Sequence, residues 1–388
     1  MSKITKIIYL VESPFSQRDY KRFGVEVFLN NGFHVFIYDF TPFLRPQVDA
    51  SRINEPSNYK GVIKFKRRRD AIAAINKQGR DCFIISIIAY NVKTFSIFKS
   101  ISRHDVPYAV FAVPAIPRPN RQIHVTARKI ISLTPRKFIK HMQFLFTRIP
   151  PGFLKINSAT FFLASGKKTP NRPTIDHKTK TIWIHTLDYD IYLEDKNSEK
   201  KEEDIAVFLD EDYVFHSDYT SLGIPALTSA EEYFPFLCNF FDYIETKLDL
   251  EVVIAAHPRS HYEELPDYFQ GRKVIRGKTA ELVKKAKLVI LQNSTSINFP
   301  VLYKKPMIFV TTDRIEKTMY GGYISKFASY FRKTPINISR NVSIDLEKEF
   351  YVYEEGYAKY KQDFIKMEGT EELLFWQVIS NKIKELNI

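Results

Sequence analysis

Three short polar clusters, each placed directly after an apolar run, have the residue types needed for group-transfer chemistry. The clusters are Asp210-Glu211-Asp212 (the acidic cluster), His257-Pro258-Arg259 (the His-Pro turn) and Ser294-Thr295-Ser296 (the hydroxyl cluster). A carboxylate can take a proton from a hydroxyl group, and an imidazole can donate to, or protonate, a phosphate oxygen. Hydroxyls and free amides at a helix start bind anions. The combination suits transfer of a group from a phosphate-bearing donor.

The elements around these clusters must bring them together. The apolar runs 205–209, 252–256 and 288–291 are predicted as strands, with helices between them and a further strand at 306–311. Alternation of strands and helices predicts a parallel sheet with right-handed crossovers. Because ligands bind at the carboxyl ends of the strands in such sheets, we expect the three clusters to meet at one edge.

The first half of the chain repeats this alternation. Lys6–Val11 is predicted as a buried strand, and a helix over 18–31 is expected to end at Gly32. At 388 residues the chain exceeds what one core usually organises, so two domains are expected. The charged run 194–204 has no apolar periodicity and is predicted as the domain boundary.

The predicted fold class is therefore α/β, with two Rossmann-like domains facing across a cleft and parallel sheets flanked by helices. The first domain is assigned to 1–195 and would bind an acceptor. The second is assigned to 205–350 and would bind a donor, and helices over 351–388 would complete the fold.

Carboxylates outside the acidic cluster could also take part. Glu12 and Asp19 follow the first strand and are rival candidates for the base or for acceptor contacts. Asp188 and Asp190 close the first domain and could contact an acceptor, or simply cap the interdomain turn. Short acidic pairs are frequent in turns, and we predict no metal site.

Each feature also has an ordinary structural explanation. The His-Pro turn could be a turn without a chemical role, and the acidic cluster could be a solvated turn. Ser and Thr are favoured as helix N-caps. Lys278 and Thr279 could place a cation and a helix N-terminus near the donor, or could form a plain helix start.

The positive charge is unevenly placed. The net charge is +14, and the segment 115–180 holds fourteen Lys or Arg and one acid, Asp176, a local net charge of +13. Amphipathic helices are predicted there over 121–132 and 136–146. The segment could be a solvated surface, or it could attract an anionic or lipid-linked glycan and the inner face of the cytoplasmic membrane. Since no nucleic-acid-binding module accompanies the charge, we expect no nucleic acid partner.

Composition points to the cytoplasm. Cys82 and Cys238 both lie in apolar surroundings, which is typical of buried thiols in a reducing compartment. No uncharged apolar run approaches the roughly 18 residues of a membrane-spanning helix. The N-terminus lacks the small-residue cleavage site of a signal peptide.

The order of the motifs resembles a known family. An acidic motif, then His-Pro, then a Ser/Thr cluster, then Lys304-Lys305-Pro306 is similar to bacterial sialyltransferases and Kdo transferases of the GT-B fold. That family's acidic motif is two acids followed by glycine, whereas here Tyr213 follows Asp212. The segment 278–311 also looks like its counterparts in UDP-sugar epimerases and glycerophosphotransferases.

The resemblance implies donors in which CMP activates a nonulosonic or ulosonic acid. It implies that His257 and the hydroxyls of Ser294, Thr295 and Ser296 contact the CMP phosphate. It further implies that one residue of the acidic cluster is the general base in inverting members.

We therefore predict a metal-independent glycosyltransferase that needs no cofactor. It would move an acidic, sialic acid-like or Kdo-like sugar from a CMP donor to a glycan in bacterial surface polysaccharide or lipopolysaccharide biosynthesis. The predicted catalytic residues are Asp210, Glu211 and His257. The predicted donor contacts are His257, Pro258, Arg259, Lys278, Thr279, Ser294, Thr295 and Ser296. The alternatives are a UDP-sugar epimerase, a CDP-glycerol-type phosphotransferase, or a non-catalytic protein that binds polyanions or membrane surfaces.

Overall fold

The computed structural model describes residues 3–48, 57–112, 115–119, 145–198, 201–217, 219 and 223–387. Within these residues, strands form two parallel sheets, ordered β3-β2-β1-β4-β5-β6-β7 and β10-β9-β8-β11-β12-β13. The strands are β1 Lys6–Val11, β2 His34–Asp39, β3 Val62–Lys64, β4 Cys82–Ser86, β5 Tyr108–Phe111, β6 Phe161–Ala164, β7 Lys180–Trp183, β8 Ile205–Leu209, β9 Glu251–Ala256, β10 Val274–Arg276, β11 Leu288–Leu291, β12 Met307–Thr311 and β13 Ile336–Asn337.

Helices flank both sheets. The α-helices are α1 Gln17–Arg22, α2 Val25–Asn30, α3 Thr41–Leu44, α4 Arg68–Asn76, α5 Phe95–Arg103, α6 Leu187–Asp195, α7 Ala230–Leu248, α8 Thr279–Lys285, α9 Asn298–Leu302, α10 Asp313–Glu316, α11 Met319–Tyr330, α12 Leu346–Phe350, α13 Glu354–Tyr360 and α14 Phe375–Glu385. Short 3₁₀ turns are Pro151–Leu154, Tyr262–Glu264 and Thr295–Ile297, and a π-helical turn is Lys361–Ile365.

The predicted fold class is confirmed. The strands β4, β8 and β11 are buried along their whole length, as expected for parallel strands covered by helices on both faces. In each sheet the first strand in sequence is an inner strand, so the connections run outward to both sides from β1 and from β8. This reversal of strand order opens a crevice at the carboxyl ends of the strands.

The predicted single helix over 18–31 is wrong, because the chain breaks into α1 and α2 at Gly24. Gly24 has φ of 56° and acts as the N-cap of α2. A Cβ atom at this position would lie 2.4 Å from ring atoms of Trp376, which belongs to α14. The close approach of a side chain from the other end of the sequence therefore determines where the first helix stops.

The chain crosses between the two sheets twice. It leaves the first sheet after β7, and α6 then packs against the second core through Tyr189. It returns after the π-helical turn, and α14 completes the first core. The two crossings lie side by side, since His185 forms an antiparallel bridge with Lys366 and the Thr186 amide donates to the Ile365 carbonyl at 2.9 Å. The crossing thus lies ahead of the charged run 194–204.

The helices predicted in the basic segment 115–180 fall almost entirely on residues that the structure does not describe. The helix predicted over 121–132, and all but the last two residues of that over 136–146, lie outside the described residues. Within the described chain, no helix combines the length and the apolar character needed to span a bilayer.

Candidate functional site

The acidic cluster and the His-Pro turn are joined by a buried carboxylate. β8 pairs with β9 in parallel, with Leu209 opposite Ala255. This register places Asp210 beside the first residue of the His-Pro turn. The Asp210 carboxylate accepts hydrogen bonds from the amide of Asp212 at 2.9 Å and from the amide of His257 at 3.2 Å. Asp210, predicted as catalytic, thus uses one oxygen on each of two backbone amides and fixes the geometry of both loops.

Glu211 joins the acidic cluster to the hydroxyl cluster on the other neighbouring strand. β11 pairs with β8 on the side opposite β9. Glu211 is half-buried, and its carboxyl group interacts with the Ser294 side chain. The pKa of Glu211 is raised to about 8, because burial and, to a smaller extent, the charge of Asp210 outweigh the opposing interaction with Ser294. Glu211 is therefore mainly protonated at neutral pH and becomes a carboxylate in mildly alkaline solution.

Asp212 is held in an unusual conformation with spare hydrogen-bonding capacity. Its φ of 50° lies in the left-handed region, which Asp tolerates better than most residues. Its Oδ1 accepts from the Phe215 amide at 3.2 Å, whereas Oδ2 is buried and has no partner among the described residues. Burial, followed by the charge of Asp210, raises the pKa of Asp212 to about 7.

His257 is a neutral imidazole with a defined proton position. Its Nδ1 accepts a hydrogen bond from the Arg259 amide at 3.2 Å, so the proton of the neutral ring lies on Nε2. Pro258 supplies no amide, and the turn brings the next amide onto the ring. Burial, followed by the charges of His216, Arg259 and Arg18, lowers the pKa of His257 to about 3. The ring is thus prepared to donate a hydrogen bond to an anion.

The hydroxyl cluster forms the turn that leads into α9. The Ser294 hydroxyl accepts from the Ser296 amide at 3.2 Å and so caps the 3₁₀ turn Thr295–Ile297. Thr295 is exposed and Ser296 is half-buried. The expected N-cap role of Ser294 is present, and the same residue also contacts Glu211.

Arg18 reaches this edge from the first domain, and the sequence analysis did not single it out. It belongs to α1, directly after the loop that follows β1. Arg18 interacts electrostatically with His257, Arg259 and Asp188, so α1 faces the His-Pro turn across the cleft. The fact that the connections run to both sides from β1 could have drawn attention to this loop, because loops at such a reversal of strand order line the crevice.

Glu12 and Asp19 make conventional contacts in the first domain. The Glu12 carboxylate pairs with the Arg45 guanidinium at 2.7 Å. Asp19 accepts from the backbone amide of Ser16 at 3.0 Å, while the Ser16 hydroxyl accepts from the Asp19 amide at 3.1 Å. This reciprocal pair is a capping box that starts α1.

Asp188 and Asp190 lie on α6 and have different partners. The Asp188 carboxylate accepts from the Asn298 side-chain amide at 2.7 Å, which ties α6 to the start of α9 beside the hydroxyl cluster. Burial raises the pKa of Asp188, and the arginines Arg18 and Arg22 partly offset the effect. The Asp190 carboxylate accepts from the Phe375 amide at 2.8 Å and so holds the start of α14.

Lys278 and Thr279 lie at the edge of the second sheet. β10 is the outermost strand and is separated from β8 by β9. Lys278 is the exposed N-cap residue of α8, and Thr279 is its first residue. Within the described chain, neither side chain is hydrogen-bonded to the acidic cluster, the His-Pro turn or the hydroxyl cluster.

The described residues contain no group of three or more His, Cys, Asp or Glu side chains arranged to hold a metal ion. The side chains of the acidic cluster have other surroundings. Asp210 accepts from two backbone amides, Glu211 interacts with Ser294, and Oδ2 of Asp212 is buried without a partner among the described residues.

Comparison with known proteins identifies the fold. No protein-family model matches the chain, and no curated protein matches it. Among solved structures, the glycotransferase of kitacinnamycin is 10% identical with a TM-score of 0.52 over 100% of both chains. Arabidopsis thaliana UGT89C1, complexed with UDP-L-rhamnose, is 9% identical with a TM-score of 0.49 over 100% of both chains. The MnaA-UDP co-structure of S. aureus is 10% identical with a TM-score of 0.47, covering 99% of this chain and 97% of that one. The shared fold is the two-domain GT-B arrangement.

Proposed function

We propose that the protein is a glycosyltransferase that uses a nucleotide-activated sugar. One observation carries the proposal: contacts through Asp210 and Glu211 join the His-Pro turn to the hydroxyl cluster at the switch point of the second sheet. Arg18 of the first domain faces the same edge. The fold, shared with a solved glycotransferase, is compatible with this chemistry.

The proposed roles follow from the protonation states and positions of the side chains. His257 would donate its Nε2 proton in a hydrogen bond to the leaving phosphate. The hydroxyl cluster would bind the same phosphate, and Arg18 and Arg259 would add positive charge. Fixed donors and cations of this kind stabilise charge that develops on the leaving group.

Glu211 is the proposed general base. It is half-buried, in contrast to the deeply buried Asp210 and Asp212, and its pKa of about 8 lies near neutral pH. A base is most effective when its pKa is close to the working pH. Its carboxylate form would take the proton of an acceptor hydroxyl as that oxygen attacks the anomeric carbon. Asp210 would position both loops.

The proposed donor is a CMP-linked acidic sugar of the sialic acid or Kdo type. Two arginines at the His-Pro turn suit a ligand that bears a carboxylate in addition to a phosphate. The acceptor would be an anionic or lipid-linked glycan of a bacterial surface polysaccharide or lipopolysaccharide. The basic segment 115–180 would attract it at the inner face of the cytoplasmic membrane.

A UDP-sugar epimerase is the second candidate, and one observation favours it. Glu211 and Asp212 are adjacent carboxyl groups whose pKa values are raised to about 8 and about 7. Two such groups could remove a proton from a sugar carbon and return it. A CDP-glycerol-type phosphotransferase would use the same phosphate contacts.

Calorimetric titration of the purified protein with CMP, UDP and CDP, followed by turnover assays with the matching donors, tests the proposal. We expect CMP to bind most tightly and a CMP-linked acidic sugar to be consumed. Tight UDP binding with epimerisation of a UDP-sugar would refute the transferase function and support the epimerase function. Turnover of CDP-glycerol would favour the phosphotransferase, and no binding of any nucleotide would refute an enzyme of this class.

A further inference from the structure

A cavity lies between the two domains, apart from the acidic cluster. Its volume is about 290 Å³, close to the lower end of the range, roughly 300 to 1,000 Å³, that is usual for small-ligand sites. Among its lining residues, three are cationic and two are aromatic: Arg118, Lys168, Lys326, Tyr330 and Phe364. The lining residues within the described chain include no carboxylate.

Both domains contribute to this cavity. Arg118 lies in the segment that follows β5, and Lys168 lies in the loop that follows β6. Lys326 and Tyr330 belong to α11 of the second domain. The two walls are in close contact, because a Cβ atom at Gly322 of α11 would lie 3.4 Å from Pro119. The cavity is therefore part of the interdomain cleft.

The positive charge in the cavity is only partly compensated. Lys168 donates to the Tyr330 hydroxyl at 2.6 Å and pairs with Asp363 at 3.1 Å. Asp363 is shared with Lys359 at 3.5 Å, so one carboxylate serves two ammonium groups. Within the described chain, Lys326 has no ion-pair partner.

Aromatic rings lie beside the cations of the cavity and also connect it to the candidate site. The Lys168 ammonium lies 5.2 Å from the centre of the Tyr330 ring and 5.9 Å from that of Phe364. Two aromatic rings therefore lie beside the cations. The Tyr330 ring lies 5.5 Å from that of Tyr360, and Tyr360 interacts electrostatically with Asp188. A short path of side chains thus links the cavity to the candidate site.

We propose that this cavity binds the negatively charged group of a saccharide acceptor. The inference rests on the proposed transferase function and assigns the acceptor subsite to named residues. Lys326, Lys168 and Arg118 would bind a phosphate or carboxylate, and the Tyr330 ring would pack against the apolar face of the sugar. Charge-assisted hydrogen bonds give such a subsite its preference for anionic over neutral sugars.

The test compares glucose 1-phosphate, glucuronic acid and glucose as probes in NMR titrations of the full-length protein. We expect both anionic sugars to bind more tightly than glucose. Lys326→Ala should weaken binding of glucose 1-phosphate by about tenfold, the effect of losing one charge-assisted hydrogen bond. Lys326→Arg should restore it. Lys247→Ala, at an exposed lysine of α7 that does not line the cavity, is the matched control and should leave binding unchanged.

The outcomes separate this inference from the proposed function. Equal affinity for glucose and its phosphate, or unchanged binding in Lys326→Ala, would overturn the acceptor subsite while leaving nucleotide binding and turnover intact. Selective, Lys326-dependent binding of anionic sugars to a protein that binds no nucleotide would support the anion site and refute the transferase.

Discussion

The ends of β1 and β8 occupy equivalent places in the two domains, and both are followed by carboxylates. At the end of β1, Glu12 pairs with Arg45 at 2.7 Å and Asp19 closes a capping box. At the end of β8, Asp210 is 4% exposed and accepts from two backbone amides. The carboxylates after β1 and Asp210 after β8 thus have the same topological position, but they differ in how deeply they are buried. The comparison shows that the surroundings of a strand-end carboxylate determine which chemistry it can perform.

Burial also gives the second site a charge balance that the first lacks. Glu211 is mainly protonated at neutral pH because burial raises its pKa to about 8. A protonated Glu211 does not repel an incoming phosphate, and Arg18 and Arg259 attract it. From the sequence alone, three adjacent acidic residues would be expected to repel an anion. In the structure the acidic cluster is compatible with anion binding, because Glu211 is mainly protonated.

The largest expected effect is that of Glu211→Gln. If Glu211 is the base, the substitution should lower kcat by about 10² to 10⁴. Since the base must be deprotonated, wild-type kcat/KM should rise with pH until about 8 and then level off. Steady-state rates across the pH range check both statements. A wild-type profile without this rise, or a fully active variant, would assign the proton transfer to another group.

The same variant has a stability signature that does not depend on turnover. The folded-state pKa of Glu211 is raised, so its stabilising contribution is present below the unfolded pKa near 4.5 and is lost as pH rises through about 8. The melting temperature of the wild type, relative to Glu211→Gln, should therefore fall over this interval. A constant difference would contradict the burial of the carboxyl group.

His257→Ala should have an intermediate effect. The loss of one hydrogen bond to a charged phosphate oxygen corresponds to a decrease in kcat/KM of about 10- to 100-fold. Because the pKa of His257 is lowered to about 3, the ring stays neutral between pH 8 and 5, and the pH dependence of nucleotide affinity should be the same in the wild type and in His257→Ala. Calorimetry at several pH values measures this. Affinity that rises more steeply below pH 6.5 in the wild type than in His257→Ala would show that an imidazolium binds the phosphate.

The smallest effects are expected at the equivalent carboxylates of the first domain. Glu12→Gln and Asp19→Ala should leave kcat/KM within about twofold of the wild type. Asp19→Ala should lower the free energy of unfolding by about 1 kcal/mol through loss of the capping box, as measured by urea denaturation. A hundredfold loss of activity in either variant would assign the general base to the first domain and contradict the proposed role of Glu211.

The sequence was sufficient for the fold class and for the convergence of the three clusters, because both follow from local alternation and from the position of loops after strands. The predicted strand Lys6–Val11 matches β1, and the run 205–209 matches β8. These segments are apolar throughout, and no distant residue is needed to explain them.

Other features depend on contacts that local sequence does not contain. The break at Gly24 is set by Trp376, and the bridging role of Asp210 follows from the register of β8 and β9. Arg18 was missed because an arginine in a short polar helix resembles any surface residue. Its importance comes from the second domain, which places Arg259 and Asp188 opposite it.

The paired crossings at His185 and Lys366 constrain how the two lobes can move. Each crossing alone would be a flexible tether, but one antiparallel bridge, with the hydrogen bond from the Thr186 amide to the Ile365 carbonyl, joins them as a minimal two-stranded ribbon. A ribbon bends about one axis more easily than it twists or slides, since twisting would shear both strands at once. Opening and closing of the cleft should then follow a single hinge coordinate, which would return Arg18 to the same place above the His-Pro turn in every cycle.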